Sequence, residues 1–179
     1  MGKDMRLRTS LFLLFVLFAP TLSYGTQQPI AQGSFDDKTI FQSVLPSLKK
    51  KTRVPLRLPT YLATEDETNK LYAIVESATL ARYEVQLAFD PECNGGNACR
   101  YGFVAGQVAA LSARRLKGKA VKLTKGITGY FVNATCGANC TDSTLSWKQD
   151  GYRYTVGLKA AKIETLTKIA NSAIKNEQP

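Results

Sequence analysis

Histidine is absent from this chain of 179 residues, tryptophan occurs once and methionine twice. Without an imidazole, Ser-His-Asp and Cys-His nucleophilic systems are excluded, as are zinc hydrolase sites that use histidine ligands. Cysteine is limited to Cys93, Cys99, Cys136 and Cys140. Neither close pair has the C-x-x-C spacing of a redox motif, and no histidine stands by to lower a thiol pKa. The C-x5-C and C-x3-C spacings are also not the short knuckles of a four-thiolate zinc site. No glycine-rich phosphate cradle of the P-loop type occurs, and no repeat of fixed period. Acidic residues are scarce beside basic ones, 14 against 24.

What is present begins with an export signal. Lys3, Arg6 and Arg8 form a basic end, and Leu11 to Phe18 is an uninterrupted apolar run. Ser23-Tyr24-Gly25 places small residues at −3 and −1 for cleavage before Thr26. The run is well short of the roughly 20 residues a membrane-spanning helix needs. The expectation is therefore a signal peptide over 1–25, a flexible Gln/Pro/Gly-rich segment over 26–35 and a single domain over 36–179, periplasmic or secreted. Lys3, Arg6, Arg8 and Asp4 leave with the signal, so residues 26–179 carry 21 basic against 13 acidic side chains, a net +8. For an exported protein such a balance favours anionic envelope material over nucleic acid, although plain surface solvation is the blander account.

Export makes disulfides the natural state of the cysteines. Of three possible pairings, Cys93 with Cys99 and Cys136 with Cys140 is preferred, because each pair brackets a Gly/Asn-rich hairpin loop. Closing such short loops contributes on the order of 2 to 3 kcal/mol each in the chain-entropy model. A link between the two loops would instead place both tips at one end of a sheet.

Periodicity gives the elements. Ile40, Phe41, Val44, Leu45 and Leu48 recur at helical spacing behind a possible cap at Asp36 or Asp37, with Pro46 breaking or restarting the helix. Val54-Pro55-Leu56-Arg57-Leu58-Pro59 suits an edge strand or an extended segment. Strands are expected at 71–78, at 82–89, where Tyr83, Val85, Leu87 and Phe89 alternate with Arg82, Glu84, Gln86 and Ala88, and at 100–107. Residues 108–116 are ambiguous, with a slight preference for strand. Further short strands are expected at 120–125, 127–132, 144–148 and 152–156, with a tight turn at Gln149-Asp150-Gly151. Ile163, Leu166, Ile169, Ala170, Ala173 and Ile174 form the apolar stripe of a terminal helix. The order predicts an α+β fold, a twisted antiparallel sheet of about five to seven strands with an N-terminal and a C-terminal helix packed on it.

Residues 121–174 carry Gly129-Tyr130, Leu145-Ser146-Trp147, Gly151-Tyr152-Arg153-Tyr154 and Ile169-Ala170-Asn171-Ser172. With these the final third resembles an uncharacterised bacterial exported domain family, of the type found with lipoprotein-sorting-like and anti-sigma-factor-like proteins. The resemblance implies a twisted antiparallel sheet under helical cover and supplies no catalytic residues.

The densest basic stretch is Arg114, Arg115, Lys117, Lys119, Lys122 and Lys125. Arg114, Arg115, Lys117 and Lys119 are the candidate anion-binding residues, with alternate positions aligning charge on one sheet face. The other account is a solvated turn between strands. Tyr130, Trp147, Tyr152 and Tyr154 could stack on a ligand from an open face, though Trp147 is the expected core residue under the terminal helix. Asn133 and Asn139 head glycosylation sequons that matter only in a eukaryotic secretory pathway. No cofactor and no metal is expected. The functional expectation is an exported, envelope-associated binding or interaction module, its partner an anionic polymer or a protein and not nucleic acid. The alternative is a histidine-free hydrolase of envelope polymers, using a Ser-Lys pair or carboxylates such as Glu65, Asp66 and Glu67.

Overall fold

A computed structural model describes residues 39–63, 70–109 and 115–176, all within one compact unit. The expected signal, the flexible segment, the cap at Asp36 or Asp37 and the acidic cluster at 65–67 lie outside the described residues.

Pro46 restarts the chain as a helix. It stands in the first turn of α1 (Leu45–Lys51), where the backbone donor it lacks is not needed. Leu48 is fully buried and Lys49, Lys50 and Lys51 face solvent. Residues 54–62 then run extended without joining the sheet, and bury Val54, Leu56, Leu58 and Leu62. Prolines 55 and 59 remove ladder donors, so an apolar run that would otherwise be a strand becomes a buried strap.

Seven strands follow: β1 (Tyr72–Thr79), β2 (Arg82–Ala88), β3 (Arg100–Val108), β4 (Lys119–Lys122), β5 (Thr128–Val132), β6 (Asp142–Gln149) and β7 (Tyr152–Lys159). They form one antiparallel sheet in the order β1-β2-β3-β7-β6-β5-β4. Two meanders, β1 to β3 and β4 to β7, are thus joined where β3 pairs with β7. The terminal helix α2 (Ile163–Lys175) packs on β6 and β7 through Leu166, Ile169, Ala170, Ala173 and Ile174. The α+β architecture expected from the sequence is the one observed.

The largest departures from the sequence reading are three, the other strand ends shifting by one or two residues. The strand expected over 120–125 stops at Lys122, because Lys125 and Gly126 adopt positive φ in a 3₁₀ turn that cannot continue a ladder. The last strand extends past Val156 to Lys159, held by pairing to both β3 and β6. Of residues 108–116, Val108 closes β3 and residues 115–117 are irregular, while 110–114 lie outside the described residues. The turn at Asp150-Gly151 has φ of 52° and 80°, as a two-residue hairpin between right-twisted strands requires.

One face of the sheet carries the core. Tyr83, Val85 and Leu87 on β2, Val104 on β3, Tyr154 and Val156 on β7 and Leu145 and Trp147 on β6 are buried with α1, the strap and α2 in a single cluster. Gly106 takes its place because the Tyr83 ring occupies the position a Cβ would need. At roughly 25 cal/mol per Å², burial of this cluster is the main stabilising term, and the staples only add to it.

Candidate functional site

The opposite face is made by the other residues of the same strands, and among the described residues no helix packs on it. Tyr72, Ile74, Phe103, Tyr130 and Val132 stand on it, outside the core cluster. Between them lie polar and charged side chains whose arrangement is set by the register.

At the end away from the disulfides, the cross-strand partners form one continuous row. Thr79 pairs with Arg82, Arg82 with Gln107, Gln107 with Arg153 and Arg153 with Lys148. The row continues through Thr128, one residue on from the Gly129/Trp147 pair, to Lys122. Five strand spacings of about 4.8 Å put Lys122 and Arg82 about 24 Å apart. Arg82, Lys148 and Lys122 are exposed and Arg153 is half-buried. No acid stands in the row, and none of its four cations is in an ion pair among the described residues. Like charges directly opposite each other across strands are destabilising, so the Lys148/Arg153 pair is a cost that a single Glu or Gln would remove.

The acid between Lys148 and Arg153 in sequence is turned away. Asp150, in the turn between Lys148 and Arg153, meets Arg57 Nη2 at 3.5 Å. Arg57 belongs to the buried strap on the core side, where its backbone N–H donates to Tyr83 Oη at 3.1 Å. Its guanidinium also contacts the Tyr154 hydroxyl, which donates to Pro55 O at 3.2 Å. Burial raises the pKa of both phenols, pushing Tyr154 up to about 12 and Tyr83 further still. These hydroxyls are therefore fixed hydrogen-bonding groups near neutral pH and not acid–base catalysts.

The other end of the sheet holds both staples. Cys93–Cys99 and Cys136–Cys140 are the disulfides, the local pairing expected from the sequence, and no cysteine is free among the described residues. No link between the loops was needed to bring their tips to one end. The topology does it, because β2 and β5 both run towards that end and β3 and β6 leave from it. The Cys93–Cys99 loop folds back over the open face, where Gln86 Nε2 donates to Cys93 O at 3.1 Å and Lys159 Nζ to Asn97 O at 2.9 Å. That cover buries Gln86 and Ala88, which strand alternation had assigned to solvent. Arg100 and Asp142 close the same end with a 2.6 Å ion pair across β7.

The basic residues singled out from the sequence are not brought together on this face. Arg114 lies outside the described residues. Arg115 and Lys117 are exposed in the irregular approach to β4, and Lys119 opens β4 on the core side of the pleat, opposite Phe131. Of the longer basic stretch, Lys122 alone joins the row. Arg82, Lys148 and Arg153 were missed, since they are far apart in sequence and look like ordinary solvent-side residues of three separate strands. The aromatic quartet divides in the same way. Trp147 and Tyr154 are buried and stacked with centroids 5.6 Å apart, Tyr152 packs against the core, and Tyr130 alone is on the open face.

No family model matches the chain, and neither a curated protein nor a solved structure matches it. Two formed disulfides fit an oxidising compartment, and no helix among the described residues is long and apolar enough to cross a membrane.

Proposed function

We propose that the protein is an exported, envelope-associated binding module, and that its ligand is an anionic polymer held on the open face of the sheet. The supporting observation is the row of Lys122, Lys148, Arg153 and Arg82, four cations none of which is in an ion pair among the described residues, in which Lys148 faces Arg153 directly. A polyanion lying along the row would relieve that repulsion, and each cation it neutralises releases a counterion. Elsewhere on this face Asp142 is paired with Arg100, and Glu84 stands two residues from Arg82 along β2, at the far end of the row from Lys122.

Retention on an immobilised polyanion over a salt gradient tests this reading. The double substitution Lys148→Ala with Arg153→Ala is expected to elute the protein at markedly lower salt. The slope of log affinity against log salt should fall by about 1.5, at roughly 0.7–0.9 per cation removed. The pair Arg115→Ala with Lys117→Ala, off the row, should leave elution close to the parent. Unchanged retention of the Lys148/Arg153 variant would overturn the assignment.

A further inference from the structure

The cations of the row do not by themselves choose among polyanions, since guanidinium and ammonium groups take carboxylate and phosphate alike. The neutral groups set among them do. Followed through the cross-strand partners, the order is Lys122, Thr128, Lys148, Arg153, Gln107 and Arg82. A hydroxyl stands between the first two cations and an amide between the last two, and both side chains are exposed. Neither is engaged by another group among the described residues. At about 4.8 Å per strand, charged and neutral positions are thus interleaved over about 24 Å.

The next row towards the staples lies about 6.6 Å away, two residues along each strand, and adds an acceptor and a ring. It runs Glu84, Ala105, Thr155, Ser146 and Tyr130. Ala105, Thr155 and Ser146 are short, and the two hydroxyls bond each other at 2.8 Å, so these residues make a low floor. The exposed Glu84 stands at one end of that floor and the half-buried Tyr130 at the other, outside the core cluster. Phe103, on the row beyond, is no second platform, because its ring lies over Gly157 with Arg100 above it.

A carboxylate is out of place on a surface that takes charge alone. Glu84 repels a chain that bears an anion at every repeat, and Gln107, Thr128 and Tyr130 find little in such a chain to bind. Sugar rings use all four. Their hydroxyls donate to the Glu84 carboxylate and the Gln107 amide oxygen and accept from the Gln107 amide nitrogen and the Thr128 hydroxyl, while an apolar ring face can lie on Tyr130.

We infer that the ligand is a linear acidic polysaccharide, lying across the strands with its anionic groups on Lys122, Lys148, Arg153 and Arg82 and its ring hydroxyls on Thr128, Gln107 and Glu84. This rests on the reading of the open face as the binding surface. The anionic groups give attraction and salt dependence, and the ring contacts give the choice of polymer.

The test measures the affinities of polygalacturonate and of inorganic polyphosphate of matched total charge over a salt series. Gln107→Ala with Tyr130→Ala should lower the ratio of polygalacturonate to polyphosphate affinity at least fivefold, with the slope against log salt unchanged. Lys148→Ala with Arg153→Ala should weaken both probes and reduce the slope for each. An unchanged far-ultraviolet circular dichroism spectrum shows that each variant is folded. A Gln107/Tyr130 variant with the parent's affinity ratio overturns the sugar polymer while the row remains the binding surface. A Lys148/Arg153 variant that binds both probes like the parent overturns the row and this inference together.

Discussion

Trp147 and Lys148 are neighbours in β6 and share no environment. Trp147 is fully buried under α2 and stacked on Tyr154, while Lys148 is exposed opposite Arg153. The whole sheet repeats this contrast. On the core face nearly every inward residue is apolar, and the buried Arg57 reaches Asp150 with its guanidinium while its backbone N–H donates to Tyr83 Oη. Along the row on the open face Lys148 stands directly opposite Arg153, and none of the four cations is in an ion pair among the described residues. Stability is concentrated on the first face, and the second tolerates an arrangement that stability alone would remove. The proposal of a partner on the open face rests on that division.

Replacing the core face's largest side chain attacks the contrast hardest. Trp147→Ala removes the indole between the sheet and α2, and is expected to lower the unfolding free energy by about 3–5 kcal/mol, measured by urea denaturation followed by circular dichroism. A loss below about 1 kcal/mol would mean that the helix face is not the stabilising one.

A smaller effect separates the faces by pH. Tyr83 and Tyr154 have folded pKa values above the unfolded value of about 10, so their protonated forms favour the folded state. Their contribution is complete below pH 10 and is lost as pH rises from there through about 12. The midpoint of urea unfolding should therefore hold steady from pH 7 to 9 and fall from pH 10 upward. Tyr154→Phe should shallow that fall, and a midpoint independent of pH up to 11.5 would contradict the burial of these phenols.

The smallest expected change has the opposite sign. Lys148→Thr removes one member of the like-charged pair and should raise stability by about 0.2–1 kcal/mol while weakening polyanion binding. A Lys148→Thr protein that is less stable than the parent would show that the pair is not repulsive, and would remove the energetic argument for the row.

The two staples differ as the faces do. Cys93 is buried, and its loop covers Gln86 and Ala88, so that bridge holds packed structure. Residues 135–139 are exposed around the second bridge, which holds a short turn between β5 and β6. The sequence made the loops look equivalent because both show Cys, Gly and Asn in a tight span. Which of them folds onto the sheet depends on residues far away, such as Lys159, that nothing local reveals.

Much of the fold was legible because the signals are local. Alternation in Arg82 to Phe89, the Asp150-Gly151 turn, the 3.6-residue stripe from Ile163 to Ile174 and the short cysteine spacings each act within a few residues. They pointed to the strands, their antiparallel neighbours at the hairpins and the terminal helix, and favoured the local disulfide pairing over the two other pairings. The densest basic run, by contrast, drew attention to Arg115, Lys117 and Lys119, which the pleat and an irregular approach scatter. Sequence density is a poor guide to charge on a sheet, because consecutive residues of a strand point to opposite sides.

Only the tertiary structure decided what the open face presents. The pairing of β3 with β7 joins two meanders whose strands are about fifty residues apart, and that one contact brings Arg82 into line with Arg153, Lys148 and Lys122. Within a strand, parity says which side a residue faces, and the sequence by itself is enough for that. Who stands beside it depends on strand order and register, which are fixed by long-range backbone pairing and by burial of the opposite face.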